Sequence, residues 1–317
     1  MHLNEQAIIT KGLTKKYDND VLAVDHLDLS IQNNTIYALL GPNGAGKTTT
    51  ISMLTTLTEP TSGSAQIKGL NVIGEADKVR MKIGVTFQEI VLDPDMTGRS
   101  SLDFHARLYG MDRSKRYKKS DALLKLIELE DAADRLTKTY SGGMKRRLEL
   151  ARGLITDPEI LFLDEPTQGL DPQNRMKIWD YIRTLKANTN MTILLTTHYM
   201  DEAAALADRV GIIDNGKIVI EGTPKELINK MGADNIKIYG TGNIKDFLTN
   251  IEKLPYVENI DTSNNILQIG VDNGNQRLVE IVKTANNNGF SIDDISVSKP
   301  DLGDVFLKYT GRQLRDK

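Results

Sequence analysis

Gly41, Gly44, Gly46, Lys47 and Thr48 stand in the order G-x-x-x-x-G-K-T within "YALLGPNGAGKTTTISML". An apolar run, Tyr37 to Leu40, precedes them and a helical pattern begins at Lys47, so the glycines fall between a strand and a helix. Glycine lets successive backbone N–H groups turn inward into an anion nest, and the helix dipole adds favourable potential there. Lys47 is then placed for β- and γ-phosphates and the Thr48 hydroxyl for magnesium. The intervening Pro42, Asn43 and Ala45, with Thr49, complete the loop. The spacing predicts a nucleoside triphosphate site.

A magnesium–triphosphate site also needs carboxylates. "EILFLDEPTQGLDP" provides them: Ile160 to Leu163 is a continuous apolar run ending in Asp164 and Glu165. Such a run suits a strand buried on both faces of a parallel sheet, and α/β folds gather ligands at strand ends. Alternation along a strand sends the two acids to opposite sides. Asp164 is assigned to the metal and Glu165 to the attacking water, as general base or as its orienting partner. Gln88 and His198 also fall where strands end, and Tyr17 lies upstream of the loop. Taken alone, a solvated Gln, a structural His and a packed Tyr are the readier explanations of these three.

A second glycine stretch, "TYSGGMKRRLELARGL", opens an amphipathic helix with Ser141, Gly142 and Gly143. Ser141 suits the N-cap, and Met144, Leu148, Ala151 and Ile155 form an apolar face. Two glycines in a first helical turn are unfavourable. Either this is an incidental glycine-rich loop or the backbone amides are bared for an anion.

Composition is that of an ordinary globular chain: 317 residues, 39% hydrophobic, 26% charged, formal net charge −3 and no cysteine. Disulfides and thiolate metal sites are thereby excluded, and no global charge favours nucleic acid. No apolar run approaches the roughly eighteen residues that span a bilayer. The start, "MHLNEQAIITKGL", lacks the basic and apolar regions of a secretion signal. A cytoplasmic chain is expected.

In order and spacing these motifs resemble the nucleotide-binding subunit of ATP-binding-cassette (ABC) systems over roughly residues 4 to 230. "GPNGAGKTT" matches the phosphate loop, Gln88 the Q-loop, "SGGM" the signature, "ILFLDEP" the magnesium–base strand, "GLDP" around Asp171 the D-loop, and His198 the switch histidine. The resemblance implies ATP and Mg²⁺ as ligands. It makes Glu165, His198, Gln88 and Lys47 catalytic, sets Thr48, Gln88 and Asp164 at the metal, and places Tyr17 on the adenine. It further implies a head-to-tail homodimer in which Ser141, Gly142, Gly143 and Asp171 of one copy face the nucleotide of the other. Met144 stands where glutamine is usual, so no polar ribose contact is expected from it. "TGRSSLDFHARLYG", "DEPTQGLDPQNR" and "DLGDVFLKYTGRQLRD" are similar to the daunorubicin-resistance-type group. That group implies ATP-driven export of drugs, lipids or polysaccharides through a separate permease of about six spans, on the inner face of the membrane.

The elements expected to carry these residues are an α/β P-loop ABC core over 1–230, a helical subdomain over about 91–155, and a small α+β domain over 233–317. "VGIIDNGKIVIEG" reads as a hairpin turning at Asn215-Gly216. From 233 the order β-α-β-β-α-β is ferredoxin-like. A last helix, Leu302 to Tyr309, is expected to set Val305, Phe306 and Tyr309 on one side, either against its own domain or against a partner. A nucleic-acid or ribosome role for such a cassette is the competing reading. It is disfavoured by the absent cysteine clusters, absent long coiled coil and single cassette. "KRR" at Lys145 to Arg147 is expected to be a solvated or phosphate-facing side of its helix.

Overall fold

Three strands of the chain are buried at every position: "IYALL", "ILFLD" and "TILLTT". They form the middle of a parallel sheet covered on both faces, around which the first part of the chain is arranged. The computed structural model describes residues 6–18, 20–231, 234–263 and 266–311. Contacts divide it into two units, Met1–Pro224 and Lys225–Lys317. The expected limits at 1, 233 and 317 lie outside the described residues.

In chain order the first unit begins with β1 (Gln6–Lys16), β2 (Leu22–Gln32), β3 (Ile36–Leu40), α1 (Lys47–Leu54), β4 (Ser62–Ile67), β5 (Leu70–Asn71), α2 (Ala76–Arg80) and β6 (Ile83–Thr86). A helical stretch follows: α3 (Gly98–Leu108), α4 (Arg113–Leu126) and α5 (Gly142–Gly153). The chain then alternates through β7 (Ile160–Asp164), α6 (Pro172–Asn188), β8 (Thr192–Thr197), α7 (Met200–Leu206), β9 (Arg209–Asp214) and β10 (Lys217–Gly222). The central sheet runs β10-β9-β3-β8-β7-β6. Its pairs are parallel except for the β9–β10 hairpin, where Asp214 faces Lys217. Asn215 and Gly216 both have positive φ, 48° and 76°, as a type I′ turn requires.

A separate antiparallel sheet, β2-β1-β4-β5, comes from the first 71 residues. The sequence reading grouped these strands around the phosphate loop without separating them. β2 shows the alternation of a half-exposed strand: Leu27, Leu29 and Ile31 point inward and polar residues outward. α1 has only eight residues, three of them β-branched threonines, too short to persist alone. It is held by burial. Ile51, Met53 and Leu54 share one core with Leu13 and Leu27 of the antiparallel sheet and Phe162 and Leu194 of the central one. The loop ahead of α1 is therefore fixed from two sides.

Each helix of the helical stretch starts on a side-chain cap: Thr97 with Ser100 in a capping box, Asp112 on Lys115 N, and Ser141 on Met144 N. Tyr140 Oη donates to the Ala132 carbonyl at 2.6 Å, fastening the segment just before α5.

The second unit takes up α8 (Pro224–Asn229), β11 (Asp234–Gly242), α9 (Ile244–Ile251), β12 (Val257–Ser263), β13 (Ile266–Val271), α10 (Gly274–Asn287), β14 (Phe290–Ser298) and α11 (Leu302–Thr310). The division falls within one residue of the start of α8. Within the second unit, Lys308 Nζ lies 3.5 Å from the carbonyl of Lys230, the residue that follows α8. The sheet order is β12-β13-β11-β14, antiparallel throughout. α11 buries Leu302, Val305 and Phe306, whereas Tyr309 remains 38% exposed. Tyr309 keeps the expected side, at helical spacing from Leu302, Val305 and Phe306, but near the Gly311 C-cap it is left uncovered.

In the second core Phe247 stacks on Phe290 with ring centroids 4.9 Å apart and planes 9° apart. Phe247→Ala is expected to cost that unit about 3–5 kcal/mol. In a urea titration, ellipticity should show an early loss while fluorescence of Trp179, the single tryptophan, keeps its midpoint. A shared shift of both signals would mean that the units unfold as one.

Candidate active site

The turn from β3 into α1 is possible only because of its glycines. Gly46, the N-cap of α1, has φ 102°, and an added Cβ would lie 2.3 Å from the Ala23 carbonyl oxygen. Beyond it the Lys47 side chain is only 4% exposed and curls back over the loop. Its ammonium donates to the carbonyls of Gly41 at 2.8 Å and Pro42 at 3.0 Å, and lies 3.1 Å from Glu165 Oε1. An anion entering the loop competes with Glu165 for this cation. The adjoining cleft, about 470 Å³, is lined among others by Asn43, Gly44, Thr48, Thr49, Gln88 and Glu165.

Asp164 and Glu165 are both buried, at 1% and 5% exposure. Their separation does not come from strand alternation, as the sequence reading supposed. β7 ends at Asp164, and Glu165 leaves it with φ 47°, an uncommon conformation for this residue type that stores backbone strain. Its N–H is received by the Thr196 hydroxyl at 3.0 Å and the Thr196 carbonyl at 3.2 Å. The same hydroxyl donates to Asp164 Oδ1 at 2.5 Å. Thr196 thus fixes both acids from the neighbouring strand.

Glu165 reaches Lys47 with one oxygen and His198 with the other, Oε2 to Nδ1 at 3.2 Å. The second contact has ion-pair distance without hydrogen-bond alignment. Burial opposes the Glu165 charge, but His198 and Lys47 outweigh it and hold the carboxyl below its usual range. It is an anion at neutral pH. Asp164 Oδ2 is buried with no hydrogen-bond partner, an arrangement that is costly unless something else engages the oxygen. A hard cation fits there, with the exposed Thr48 hydroxyl as a further oxygen donor. Among the described residues no cluster of three or more His, Cys, Asp or Glu could hold a metal. A phosphate-bound ion with few protein ligands suits that donor set.

Arg146 was missed by the sequence reading, and it corrects the expectation for "KRR". Arg146 and Arg147 are only 3% and 9% exposed. Arg146 Nε donates to the Pro166 carbonyl at 2.7 Å, Nη1 to Phe87 at 2.6 Å and Gln88 at 3.2 Å, and Nη2 to Asp164 at 2.9 Å and Glu165 at 2.7 Å. Five N–H groups meet five carbonyls. Burial pushes the guanidinium pKa down, and the carbonyls replace the lost hydration. One side chain of α5 thereby joins the Gln88 segment to the segment that carries both acids. The available signal was position: Arg146 lies three residues after Gly143 and four before Leu150, on the helix stripe that packs inward.

The other expected residues divide into two groups. Gln88 is in the cleft, with Nε2 donating to Gln168 Oε1, and His198 faces Glu165 from the β8–α7 junction. Gly41, Pro42 and Ala45 shape the loop from behind, Ala45 being 3% exposed. Tyr17 does not line the cleft. It follows β1, 41% exposed, under Lys15 Nζ at 5.4 Å, while Val21 to Ala23 form the adjoining wall. Ser141, Gly142 and Gly143 sit at the start of α5, outside the cleft lining, and Asp171 caps α6 through Asn174 N at 3.0 Å.

The ABC transporter family matches residues 24–168, and the C-terminal domain of DrrA1-3-like ATP-binding proteins matches 222–310. The chain is 38% identical to the daunorubicin resistance ATP-binding protein DrrA3 of Streptomyces coeruleorubidus, over 99% of this chain and 98% of that one. It is 40% identical to the Nod factor export ATP-binding protein I of Ralstonia nicotianae, over 96% and 94%. Among solved structures, cbiO1 from Clostridium perfringens, part of an ABC transporter complex, superposes with TM-score 0.66 at 26% identity, over 72% of this chain and 92% of that one. A dimeric ATP-binding cassette in a post-hydrolysis state, bound to ADP and Pi, does so with TM-score 0.63 at 27% identity, over 68% and 98%. The chain belongs to the ABC transporter family, as a nucleotide-binding ATPase of the daunorubicin-resistance type.

Proposed function

We propose that the chain is the ATPase subunit of an exporter, acting as a head-to-tail pair of copies beneath a separate membrane permease of about six spans. The observation that carries this reading is the buried Lys47–Glu165 pair, met by half-buried His198, at the mouth of a phosphate loop. In it the cation is held in reserve by two carbonyls and the base is kept ionised.

Backbone amides from Gly44 to Thr49 receive the β- and γ-phosphates, and Lys47 turns from Glu165 toward them. Glu165, released from one partner, accepts a proton from the attacking water, while His198 holds its other oxygen. Asp164 and Thr48, with Gln88, would hold Mg²⁺, which would supply positive charge to neutralise the phosphate oxygens. Tyr17 stacks on the adenine. Ser141, Gly142 and the Asp171 loop seal the γ-phosphate of the partner copy, which accounts for their distance from this chain's own cleft. ATP favours the closed pair and its cleavage removes that preference.

The permease is received on the cytoplasmic side by a groove of about 250 Å³ between β6 and the α3–α5 stretch, lined by Leu57, Val91, His105, Tyr109 and Arg152. Leu57 and Val91 are each 67% exposed, an unburied apolar pair on a lining that also carries Arg80, Glu89 and Arg152. Relatives named for drug resistance and for Nod factor export support a drug, lipid or polysaccharide as the cargo.

Glu165→Gln is expected to keep ATP affinity, lower turnover by more than ~100-fold and give a dimer with MgATP by light scattering. Unchanged turnover would remove Glu165 as the base. Lys47→Ala should weaken ATP binding at least ~10-fold by calorimetry; unaltered affinity contradicts the loop assignment. Because folding lowers the Glu165 pKa, its stabilising share is complete above about pH 4.3 and is lost as pH falls through the lower folded value. Melting of Glu165→Gln followed against pH should accordingly lack part of the wild-type decline in that acid window. Identical acid declines would refute the ion pairing.

A further inference from the structure

The two glycines of the Ser141 turn stand in different surroundings. A Cβ added to Gly142 meets nothing within 4 Å. One added to Gly143 would lie 2.6 Å from Asn174 Oδ1 and 2.7 Å from its Cγ. Gly142 is exposed and Gly143 buried. Asn174 is not free to swing aside. Its side-chain Nδ2 donates to Asp171 Oδ2 at 2.6 Å, and its backbone N–H to Asp171 Oδ1 at 3.0 Å. Both bonds help hold the Asp171 carboxyl below its usual pKa, as an anion. The amide is therefore clamped by the cap of its own helix and laid flat on the backbone of another. Glycine is a poor helix former, so an uncrowded position in the first turn of α5 would gain from alanine.

We propose that Asn174 is a positioning residue that seats the Ser141–Gly143 turn on the first turn of α6. Gly143 is a glycine to admit the Asn174 amide, and Gly142 alone keeps the turn open to an anion. The next residue extends the connection. Arg175 lies 4.0 Å over the Tyr199 ring and 3.3 Å from Asp201, and Tyr199 packs on His198 with ring centroids 4.1 Å apart. The surface offered to the partner's phosphate and the histidine beside this chain's own Glu165 thus meet on one helical turn.

This inference rests on the composite-site reading above for its function, but not for its geometry. The test is a double-mutant cycle on the full chain. Without nucleotide, Gly143→Ala should lower the melting temperature by about 2–4 °C, and in an Asn174→Ala background the same change should raise it. In turnover, Gly143→Ala and Asn174→Ala should each lose ~10-fold or more in kcat/KM, and the double variant should lose no more than either, because each change alone unseats the turn. Gly142→Ala should gain nothing from Asn174→Ala. An equal melting cost of Gly143→Ala in both backgrounds overturns the seat. A melting cycle as expected, with Asn174→Ala turning over as the wild type does, overturns the positioning role. Failure of Glu165→Gln to pair with ATP would instead strike the composite site and leave the seat standing.

Discussion

A lysine and a glutamate buried against each other at the mouth of the phosphate loop are the contact around which the rest is organised. Neither charge has water to fall back on, so each depends on groups that the fold delivers to one place. Lys47 arrives at the start of α1, whose short apolar face is trapped between two sheets. Glu165 arrives from the end of β7, bent out of the strand by a left-handed residue and tied to β8 through Thr196. Remove either support and a buried charge is left unmatched, a state costing several kcal/mol. The strained conformation at Glu165 persists because its neighbours over-determine it.

Arg146 gives this arrangement its breadth. By filling five carbonyls it makes the Gln88 segment and the acid-bearing segment one body with α5. The helix that carries the Ser141 turn is thus anchored in the active site by one residue while its first turn rests on α6 by another. In the proposed pair of copies, the two phosphate sites would be connected through hydrogen bonds and packed rings.

What the sequence made legible was local. The glycine spacing at Gly41 to Thr48, the acids ending an apolar run, the Asn215-Gly216 turn and the β-α-β-β-α-β order are each contained within a few dozen residues and governed by backbone preferences. What it hid was non-local. The antiparallel sheet joins strands whose alternation does not name their partners. Arg146 and Arg147 read as solvated because charge usually is; only the fold brings the carbonyls of residues 87–88 and 164–166 to the same guanidinium. The left-handed Glu165 and the Asn174 amide over Gly143 are likewise set by distant segments. Tyr309 shares a helix face with Val305 and Phe306 yet stays exposed, because helical periodicity says nothing about where the covering surface ends.

The central claim is that a triphosphate held by one chain is closed over by the Ser141 turn of another. The chain has no cysteine, so Asn43→Cys and Ser141→Cys can be introduced together on a clean background and treated with a short bifunctional thiol reagent. The account predicts a covalent dimer joined between loop and turn, formed with MgATP and not without it. Crosslinks confined to single chains, or dimers indifferent to nucleotide, would contradict it.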